Sequence, residues 1–419
     1  MRRVRLPAGR QRGVPVAARR GMRRGSSPGT PHRSVSTGLP GSLRILGAMT
    51  HPDQLAGFRS LGQATARAIV VRAAAHDRLQ RTLLVHGPAG AGKDGFVEDL
   101  IALLLCTAPD STQRPCNVCR GCREARLRSH PDLVIGSPES WRDDRSGTGS
   151  IVATARRWLA ESAGAPIAGE RRVVLIEGVD RANEQIQNAL LKALEEPTGR
   201  HVFVLVADEV SRVLPTIRSR AQALRMGAVP REELTSWLID RHRIPADQAD
   251  ALARISEGHS GTAAEFVKNP ALVTWRRKAE HELLDLLGRG PADRFASARD
   301  MLDEASRLHA QPVAEADATQ DEEGRRIATA FQRAGALRIV DAWISLARDL
   351  LVTNAGRPDL APSATLELDV AGAADRIDTT RLPVFVGLLE RTREGLLQNA
   401  APQLALQVAM LSWPRVESS

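Results

Sequence analysis

The stretch HGPAGAGKD, residues 86–94, decides the fold of this chain. It follows a short apolar run at 83–85 and precedes residues 96–105, whose apolar spacing predicts a helix. The stretch matches the pattern G-x-x-x-x-G-K, in which backbone N–H groups at a helix N-terminus surround phosphate oxygens. The sequence therefore predicts a P-loop, and the residues predicted to contact the phosphates are Gly87, Gly90, Gly92 and Lys93.

Two positions near this loop depart from what nucleotide hydrolysis requires. The position after Lys93 ordinarily carries a Ser or Thr hydroxyl that holds Mg²⁺, and here it is Asp94. Glu177 follows the apolar run 173–176 and could hold a metal through water, but the next residue is Gly178, which cannot activate water. Loss of a general base costs about 10²–10⁴ in rate. The pattern favours a loop that keeps its shape without hydrolysing ATP; the alternative is that Asp94 and Glu177 still attract ATP and Mg²⁺.

Strand-like and helical segments alternate outward from the loop, between residue 55 and about residue 226. Residues 173–176 and 202–206 are apolar without interruption, which is typical of strands buried on both faces of a parallel sheet. Residues 183–194 predict a helix that ends before Glu196-Pro197, because a residue that precedes proline avoids helical angles. We therefore expect an α/β fold with a parallel sheet.

All the cysteines of the chain lie between residues 106 and 122, with the spacing C-x9-C-x2-C-x2-C. Pairs of cysteines two residues apart can reach one ion, and four thiolates complete a closed tetrahedral site. The spacing predicts a structural Zn²⁺ site, with an iron–sulfur cluster or unligated thiols as alternatives. Clustered cysteines without a disulfide framework or a secretory segment favour a cytoplasmic protein. The predicted ligands are Cys106, Cys116, Cys119 and Cys122.

The net charge of +9 belongs to the start of the chain. Residues 1–52 hold 11 arginines and no carboxylate, so 47 basic side chains face 49 acidic ones in the rest of the 419 residues. This balance argues against a folded domain that binds nucleic acid by charge alone. We expect a disordered basic tail at 1–50, with a true start at Met49 or a transit peptide as alternatives. No apolar run is long enough to cross a membrane.

Three further motifs accompany the loop and the cysteines. They are His130-Pro131-Asp132-Leu133, the segment NALLKALEEP at 188–197 and the segment TIRSR at 216–220. With these motifs the chain resembles the clamp-loader subunits of bacterial DNA polymerase III, within the AAA+ ATPases. The resemblance runs from about residue 55 to 270. Because Asp94 and Gly178 depart from the tau/gamma motor subunits of that family, the chain resembles a subunit that does not hydrolyse ATP itself.

The resemblance implies roles and partners that the residues alone do not give. It implies that Arg220 is an arginine finger, which reaches the ATP site of a neighbouring motor subunit and stabilises charge in the transition state. The implied partners are tau/gamma and delta-like clamp-loader subunits and, through the assembly, the sliding clamp and primed DNA. The alternatives are a tau/gamma-type motor with unusual motif residues, or a zinc-dependent interaction module on an ATPase scaffold.

The resemblance also implies the domain organisation. We expect an AAA+ P-loop domain at 51–227 with a zinc-binding insert at 106–122, a helical lid at 228–270 and a helical collar at 271–419. The collar is expected to oligomerise. In this last region apolar residues fall at helical spacing and predict one buried helix face, formed by Trp343, Leu346, Ala347, Leu350 and Leu351.

Overall fold

The structure is a computed structural model, and it describes residues 57–143, 150–195, 199–310, 322–361, 367–374 and 377–414. The basic tail predicted at 1–50 lies outside the described residues, as do residues 196–197 of the segment NALLKALEEP. Within these ranges no helix combines the length and the apolar character needed to cross a membrane.

Five parallel strands form one sheet in the order β2-β3-β4-β1-β5. The predicted parallel sheet is therefore confirmed. The three middle strands contain the apolar runs at 83–85, 173–176 and 202–206, as expected for strands that are covered on both faces. The strands are β1 (Thr82–His86), β2 (Leu133–Gly136), β3 (Arg172–Ile176), β4 (His201–Ala207) and β5 (Gln222–Arg225).

The sequence does not predict the outer strands β2 and β5. Each has only four residues. On the edge strand β5, the polar side chain of Gln222 is half-buried and that of Arg225 is exposed. Short edge strands lack the continuous apolar run that marks a buried strand. Their pairing is decided by register with their neighbours, such as Leu84 opposite Ala223.

Helices cover both faces of the sheet. Side chains alternate along β1, so that Leu83 and Val85 pack in the same core as α2 while Leu84 packs with α6 on the other face. The helices of this region are α1 (Ala64–Ala75), α2 (Lys93–Leu104), α3 (Arg120–Arg126), α4 (Pro138–Asp143), α5 (Ile151–Ser162), α6 (Glu184–Glu195) and α7 (Pro215–Arg218).

Two predicted helices are present with shifted ends. Helix α2 begins at Lys93 and not at residue 96, because Gly92 adopts left-handed angles and forms the N-cap. Helix α6 begins at Glu184, since Asn183 is the cap: its Oδ1 accepts a hydrogen bond from the N–H of Ile186 at 2.9 Å.

From residue 231 onward the described residues are almost entirely helical. Trp343, Leu346, Ala347 and Leu350 are buried in one apolar core and Leu351 packs against it, so the predicted helix face is confirmed. The helices are α8 (Arg231–His242), α9 (Ala246–Ile255), α10 (Ser260–Lys268), α11 (Ala271–Asp285), α12 (Pro291–Ala310), α13 (Glu322–Asn354), α14 (Glu367–Ala374), α15 (Leu382–Leu397) and α16 (Pro402–Leu411).

Candidate functional site

The loop at 87–92 joins the end of β1 to the start of α2, at the carboxyl edge of the parallel sheet. Gly90 and Gly92 have φ angles of 77° and 86°, which favour glycine. A Cβ atom at Gly90 would lie 2.1 Å from Thr262 Oγ1, and one at Gly92 would lie 2.3 Å from Ser260 Oγ. The loop therefore needs glycine both for its backbone angles and for its contact with the start of α10.

Backbone hydrogen bonds hold α10 on this loop. The N–H groups of Gly261 and Thr262 both donate to the carbonyl oxygen of Gly90, at 2.8 and 3.2 Å. These N–H groups belong to the first turn of a helix, which has no intrahelical acceptors for them. The loop thus satisfies the helix N-terminus with its own carbonyl group.

A cleft of about 880 Å³ opens beside the loop. It lies between the carboxyl edge of the sheet, α2, α8 and α10, and its volume is typical of a small-molecule site. Asp94 is exposed on its wall, so the carboxylate predicted to stand beside the nucleotide does face this space. The structure therefore brings the loop, Lys93, Asp94 and Glu177 together around one cleft.

The ammonium group of Lys93 is engaged by the protein itself. Its Nζ donates to the carbonyl oxygens of Gly87 at 2.7 Å and Pro88 at 2.6 Å. It also forms an ion pair with Asp208 Oδ1 at 2.7 Å, and its side chain is only 7% exposed. Because an ammonium group has three donors, these contacts leave none directed at the cleft.

Glu177 is likewise neutralised from within the chain. Its Oε1 accepts a hydrogen bond from Nη1 of Arg128 at 2.7 Å. Arg128 stands just after α3, with left-handed backbone angles. A guanidinium group thus already neutralises one oxygen of this carboxylate.

The buried acid Asp180 shapes the end of β4 next to Lys93. Oδ2 of Asp180 accepts hydrogen bonds from the N–H groups of Asp208 at 3.1 Å and Glu209 at 3.0 Å. Burial raises the pKa of Asp180 above its ordinary value. Arg181 adds positive charge 4.0 Å from Asp208 and pairs with Glu139 at 2.9 Å. Asp180 therefore positions the carboxylate that holds Lys93.

Arg220 lies after α7. It is not one of the described residues that line the cleft. Its side chain is 39% exposed and pairs with Glu195 Oε1 at 2.7 Å, while Nη1 donates to the carbonyl oxygen of Thr216 at 3.0 Å. The motif at 188–197 and the motif at 216–220 thus meet at this ion pair. An exposed guanidinium beside one exposed acid can be drawn into a contact with another chain.

Gln187 positions the turn that carries Arg220. Its Nε2 donates to the carbonyl oxygens of Ala182 and Arg212, each at 3.0 Å, and its Oε1 accepts from the N–H of Leu214 at 2.8 Å. The side chain is buried, so these bonds are shielded from water. The turn before α7 is therefore fixed relative to α6.

The cysteine cluster follows α2 and includes the start of α3. The four cysteine sulfurs all lie within 4.8 Å of one another, and Cys106 Sγ is 3.9 Å from Cys119 Sγ. Four sulfurs around Zn²⁺ at bond lengths near 2.3 Å stand roughly 3.8 Å apart. The donor set and its spacing therefore fit a tetrahedral metal, with every ligand position supplied by the chain.

Backbone donors make parts of the cluster favourable for thiolates. The N–H groups of Cys116, Cys119 and Cys122 donate to the sulfurs of Cys106, Cys116 and Cys119, at 3.4, 3.4 and 3.3 Å. Burial opposes ionisation, but the N–H groups of Cys122 and Thr107 outweigh it and lower the pKa of Cys119 to about 6. Burial raises the pKa of the Cys122 thiol, so a bound cation would be needed to ionise it at neutral pH.

Sequence reasoning missed Arg128 and Gln187. Neither stands in a spacing pattern that marks a function, and Arg128 is one of 54 arginines in the chain. Only the chain's three-dimensional path brings Arg128 to Glu177, 49 residues away in sequence. The ion pair between Lys93 and Asp208 was missed for the same reason, because no local pattern joins these two residues.

Comparisons with known proteins find similarity to bacterial DNA polymerase III subunits. Residues 62–230 match the family model described as DNA polymerase III, delta subunit. A DNA polymerase III subunit delta' from Pseudomonas aeruginosa is 35% identical over 190 residues, which cover 43% of this chain and 53% of that protein. The Escherichia coli subunit delta' is 30% identical over 187 residues, or 44% of this chain and 54% of that protein.

Similarity to the gamma/tau subunits is weaker in coverage. The DNA polymerase III subunit gamma/tau of Mycobacterium tuberculosis is 30% identical over 161 residues, which cover 38% of this chain and 27% of that protein. The chain spans about half the length of the subunit delta' relatives that it matches. The family-model match at 62–230 contains the loop, the cysteine cluster and Arg220, and the chain as a whole resembles delta-prime subunits of bacterial DNA polymerase III over about 190 residues.

Proposed function

We propose that this chain is a delta-prime-like subunit of the DNA polymerase III clamp loader. In this role it helps to load the sliding clamp onto primed DNA, together with tau/gamma and delta-like subunits. Its own cleft is weak or inactive in ATP hydrolysis, and Arg220 serves the ATP site of a neighbouring motor subunit. The observation that carries the proposal is the internal pairing of the cleft: Lys93 with Asp208, and Glu177 with Arg128.

This pairing opposes nucleotide binding. A triphosphate that approached the loop would have to compete with Asp208 and two carbonyl groups for the donors of Lys93. A Mg²⁺ ion would have to displace the guanidinium of Arg128 from Glu177. Hydrolysis further lacks the Ser or Thr hydroxyl at Asp94 and a second acid at position 178. The loop then serves as a scaffold that holds α2 and α10 together.

The surroundings of Arg220 support a role in another subunit's site. The guanidinium is exposed on the turn that Gln187 fixes, and its acid partner Glu195 is itself 45% exposed. Exposed ion pairs contribute little free energy, so exchanging Glu195 for a phosphate costs little. A guanidinium that meets a γ-phosphate offers planar, permanently charged donors to the transition state.

The experiment is a clamp loader reconstituted with tau/gamma and delta-like subunits. Arg220→Ala is expected to slow ATP hydrolysis at the one motor site that receives the finger by about 10³-fold, and clamp loading with it. Arg218→Ala is the matched control, because Arg218 is exposed two residues away and is expected to leave both rates unchanged. Pre-steady-state ATP hydrolysis and loading of labelled clamp onto primed DNA are the measurements. Unchanged rates with Arg220→Ala would show that the finger assignment is wrong.

A second candidate function is a tau/gamma-type motor ATPase, which the similarity to the Mycobacterium tuberculosis gamma/tau subunit favours. The two functions differ in what the isolated chain does with ATP. As a delta-prime-like subunit, the chain with clamp and primed DNA hydrolyses no ATP beyond the rate of its Lys93→Ala variant. Brisk hydrolysis that Lys93→Ala abolishes would establish the motor and contradict the proposal.

The cysteine cluster is proposed to hold a structural Zn²⁺. The ligands would be Cys106, Cys116, Cys119 and Cys122, and the ion would fix the segment between α2 and α3. A closed four-sulfur site leaves no position for a water molecule, so the ion would not be catalytic. The third candidate is a zinc-dependent interaction module. Its test is to replace all four cysteines by Ser: clamp-loader assembly that persists would separate a role of zinc in stability from a role in partner recognition.

The domain boundaries belong to the same proposal. The P-loop region at 51–227 carries the loop, the cysteines and Arg220, and the lid at 228–270 carries α8 and α10, which complete the cleft. The collar at 271–419 is the proposed oligomerising part. An iron–sulfur cluster in place of Zn²⁺ would be recognised by its visible absorption, which a zinc protein lacks.

A further inference from the structure

The segment before α1 is held by a buried carboxylate on α2. Asp99 has no exposed surface, and its oxygens accept hydrogen bonds from the N–H group of Arg59 at 2.9 and 3.0 Å and from that of Ser60 at 2.7 Å. Both Arg59 and Ser60 line the cleft beside the loop. Asp99 therefore fixes one wall of the cleft through backbone donors.

Arg126 of α3 joins this carboxylate to the cysteine cluster. Its Nη2 is 2.7 Å from Asp99 Oδ1, and the pair is nearly inaccessible to water. The same guanidinium donates to Oδ1 of Asn117, from Nε at 2.9 Å and from Nη2 at 2.6 Å. Asn117 is the residue after Cys116, and its φ of 61° places it in a left-handed turn between two predicted metal ligands.

The cysteine loop also touches the segment that leads into this wall. Nδ2 of Asn117 donates to the carbonyl oxygen of Gly57 at 2.7 Å. A Cβ atom at Gly57 would lie 2.3 Å from the carbonyl oxygen of Pro115, so the two backbones are in close contact. The amide group of Asn117 thus contacts Gly57, two residues before the wall, with its nitrogen and Arg126 with its oxygen.

We propose that Asn117 and Arg126 couple the cysteine cluster to the cleft. Ligation of Cys116 and Cys119 fixes the turn that carries Asn117, the Asn117 amide orients Arg126, and Arg126 with Asp99 holds the wall at Arg59 and Ser60. Arg126 is a positioning residue in this chain of contacts. The proposal rests on the metal site proposed above but not on the role of Arg220.

Metal removal is expected to release this wall. When the thiols separate, the turn at Asn117 loses its anchor and the guanidinium of Arg126 loses its amide partner. Asp99 and Arg67, which donates to Ser60, then hold the wall without this coupling. The N–H groups of Arg59 and Ser60 then open to solvent more often. Local opening of this kind is read by amide hydrogen exchange, because exchange rates follow the free energy of opening.

The experiment compares amide exchange in the full chain loaded with Zn²⁺ and in the same protein after chelation. Exchange in a peptide covering residues 57–61 is followed by mass spectrometry, and bound zinc is measured on the same samples. In the unchanged protein, chelation is expected to accelerate exchange at Arg59 and Ser60 by about tenfold or more. In Arg126→Ala the exchange is fast with zinc bound, and chelation adds little.

Two variants separate coupling from a loss of folding. Arg123→Ala removes an exposed arginine from the same helix and is expected to behave as the unchanged protein does. Asn117→Gly keeps the left-handed turn and the pair between Arg126 and Asp99, and is expected to bind zinc while its exchange at residues 57–61 no longer responds to chelation.

The outcomes distinguish this proposal from the metal site on which it rests. A protein that holds no zinc would overturn both. A zinc-loaded protein whose residues 57–61 exchange equally slowly before and after chelation would overturn the coupling alone. Slow exchange in zinc-loaded Arg126→Ala would also contradict it, since the wall would then stand without the guanidinium.

Discussion

Asp132, in the motif His130-Pro131-Asp132-Leu133, makes several buried hydrogen bonds that support the fold. Its buried carboxylate accepts hydrogen bonds from the N–H groups of Ile167 at 2.5 Å and of Ala168 and Gly169 at 2.8 Å each. Burial alone raises the pKa of Asp132, but the three donors outweigh it and hold the pKa below its ordinary value. The motif therefore supports the loop that leads into β3.

At the residue scale we predict that Asp132→Asn lowers the free energy of unfolding by about 2 kcal/mol at pH 7, because an amide nitrogen replaces a charged acceptor. A carboxylate whose folded pKa is lowered contributes its stability above the unfolded value near pH 3.9, and the contribution is lost as the pH falls through the folded pKa. The difference between the two proteins is therefore expected to shrink below about pH 4. Urea unfolding at a series of pH values measures it.

Asp240→Asn is the control for this prediction, because Asp240 is exposed on α8. The control is expected to change the unfolding free energy by less than about 0.5 kcal/mol at every pH. A constant difference between the unchanged protein and Asp132→Asn from pH 7 to pH 3 would contradict the role given to the charge of Asp132.

At the scale of elements, the contact between the P-loop and α10 depends on Gly90. In Gly90→Ala the new Cβ would meet Thr262 Oγ1 at 2.1 Å, and the backbone would keep a φ of 77° that L-residues rarely adopt. The strained backbone alone costs about 1–3 kcal/mol. We therefore predict a lower melting temperature and faster amide exchange at the start of α10.

Gly372→Ala is the matched control for Gly90→Ala. A Cβ atom there would meet nothing within 4 Å, and Gly372 lies inside α14, where alanine is favoured over glycine. This control is expected to leave exchange at α10 unchanged. A Gly90→Ala protein that melts as the unchanged protein does would show that α10 is not held by the loop.

The elements differ in how well the sequence predicts them, and the reason is the range of the interactions that form them. The P-loop, the buried strands β3 and β4 and the cysteine spacing are local patterns, and each is visible within about 20 residues. The pairs that define the cleft join distant residues: Arg128 with Glu177, Lys93 with Asp208 and Arg126 with Asp99. Their partners are chosen by the path of the chain, so no local pattern predicts them.

At the scale of the whole molecule, Arg294 ties the start of α12 to the end of the described chain. The side chain is buried, and Nη1 donates to the carbonyl oxygens of Trp413 at 2.6 Å and Met410 at 3.2 Å, while Nη2 donates to that of Pro414 at 2.9 Å. Carbonyl groups at the end of a helix lack intrahelical partners. Arg294 therefore satisfies the end of α16 and joins it to a helix more than 100 residues earlier.

We predict that Arg294→Met destabilises the helical region selectively. Several buried carbonyl groups would lose their donor, at about 1–3 kcal/mol each where no water replaces it, so a loss of 3 kcal/mol or more is expected.

If the regions at 51–227 and 271–419 are separate domains, the helical region of Arg294→Met melts at a lower temperature while zinc stays bound at the cysteine cluster. Calorimetry follows the melting transitions, and a matched thermal scan of absorbance with a chromogenic chelator follows the release of zinc. Arg299→Met on the same helix, at an exposed arginine, is expected to shift neither. Release of zinc together with the first transition of Arg294→Met would show instead that the two regions unfold as one cooperative unit, because the loss at α16 would then have reached the cysteines.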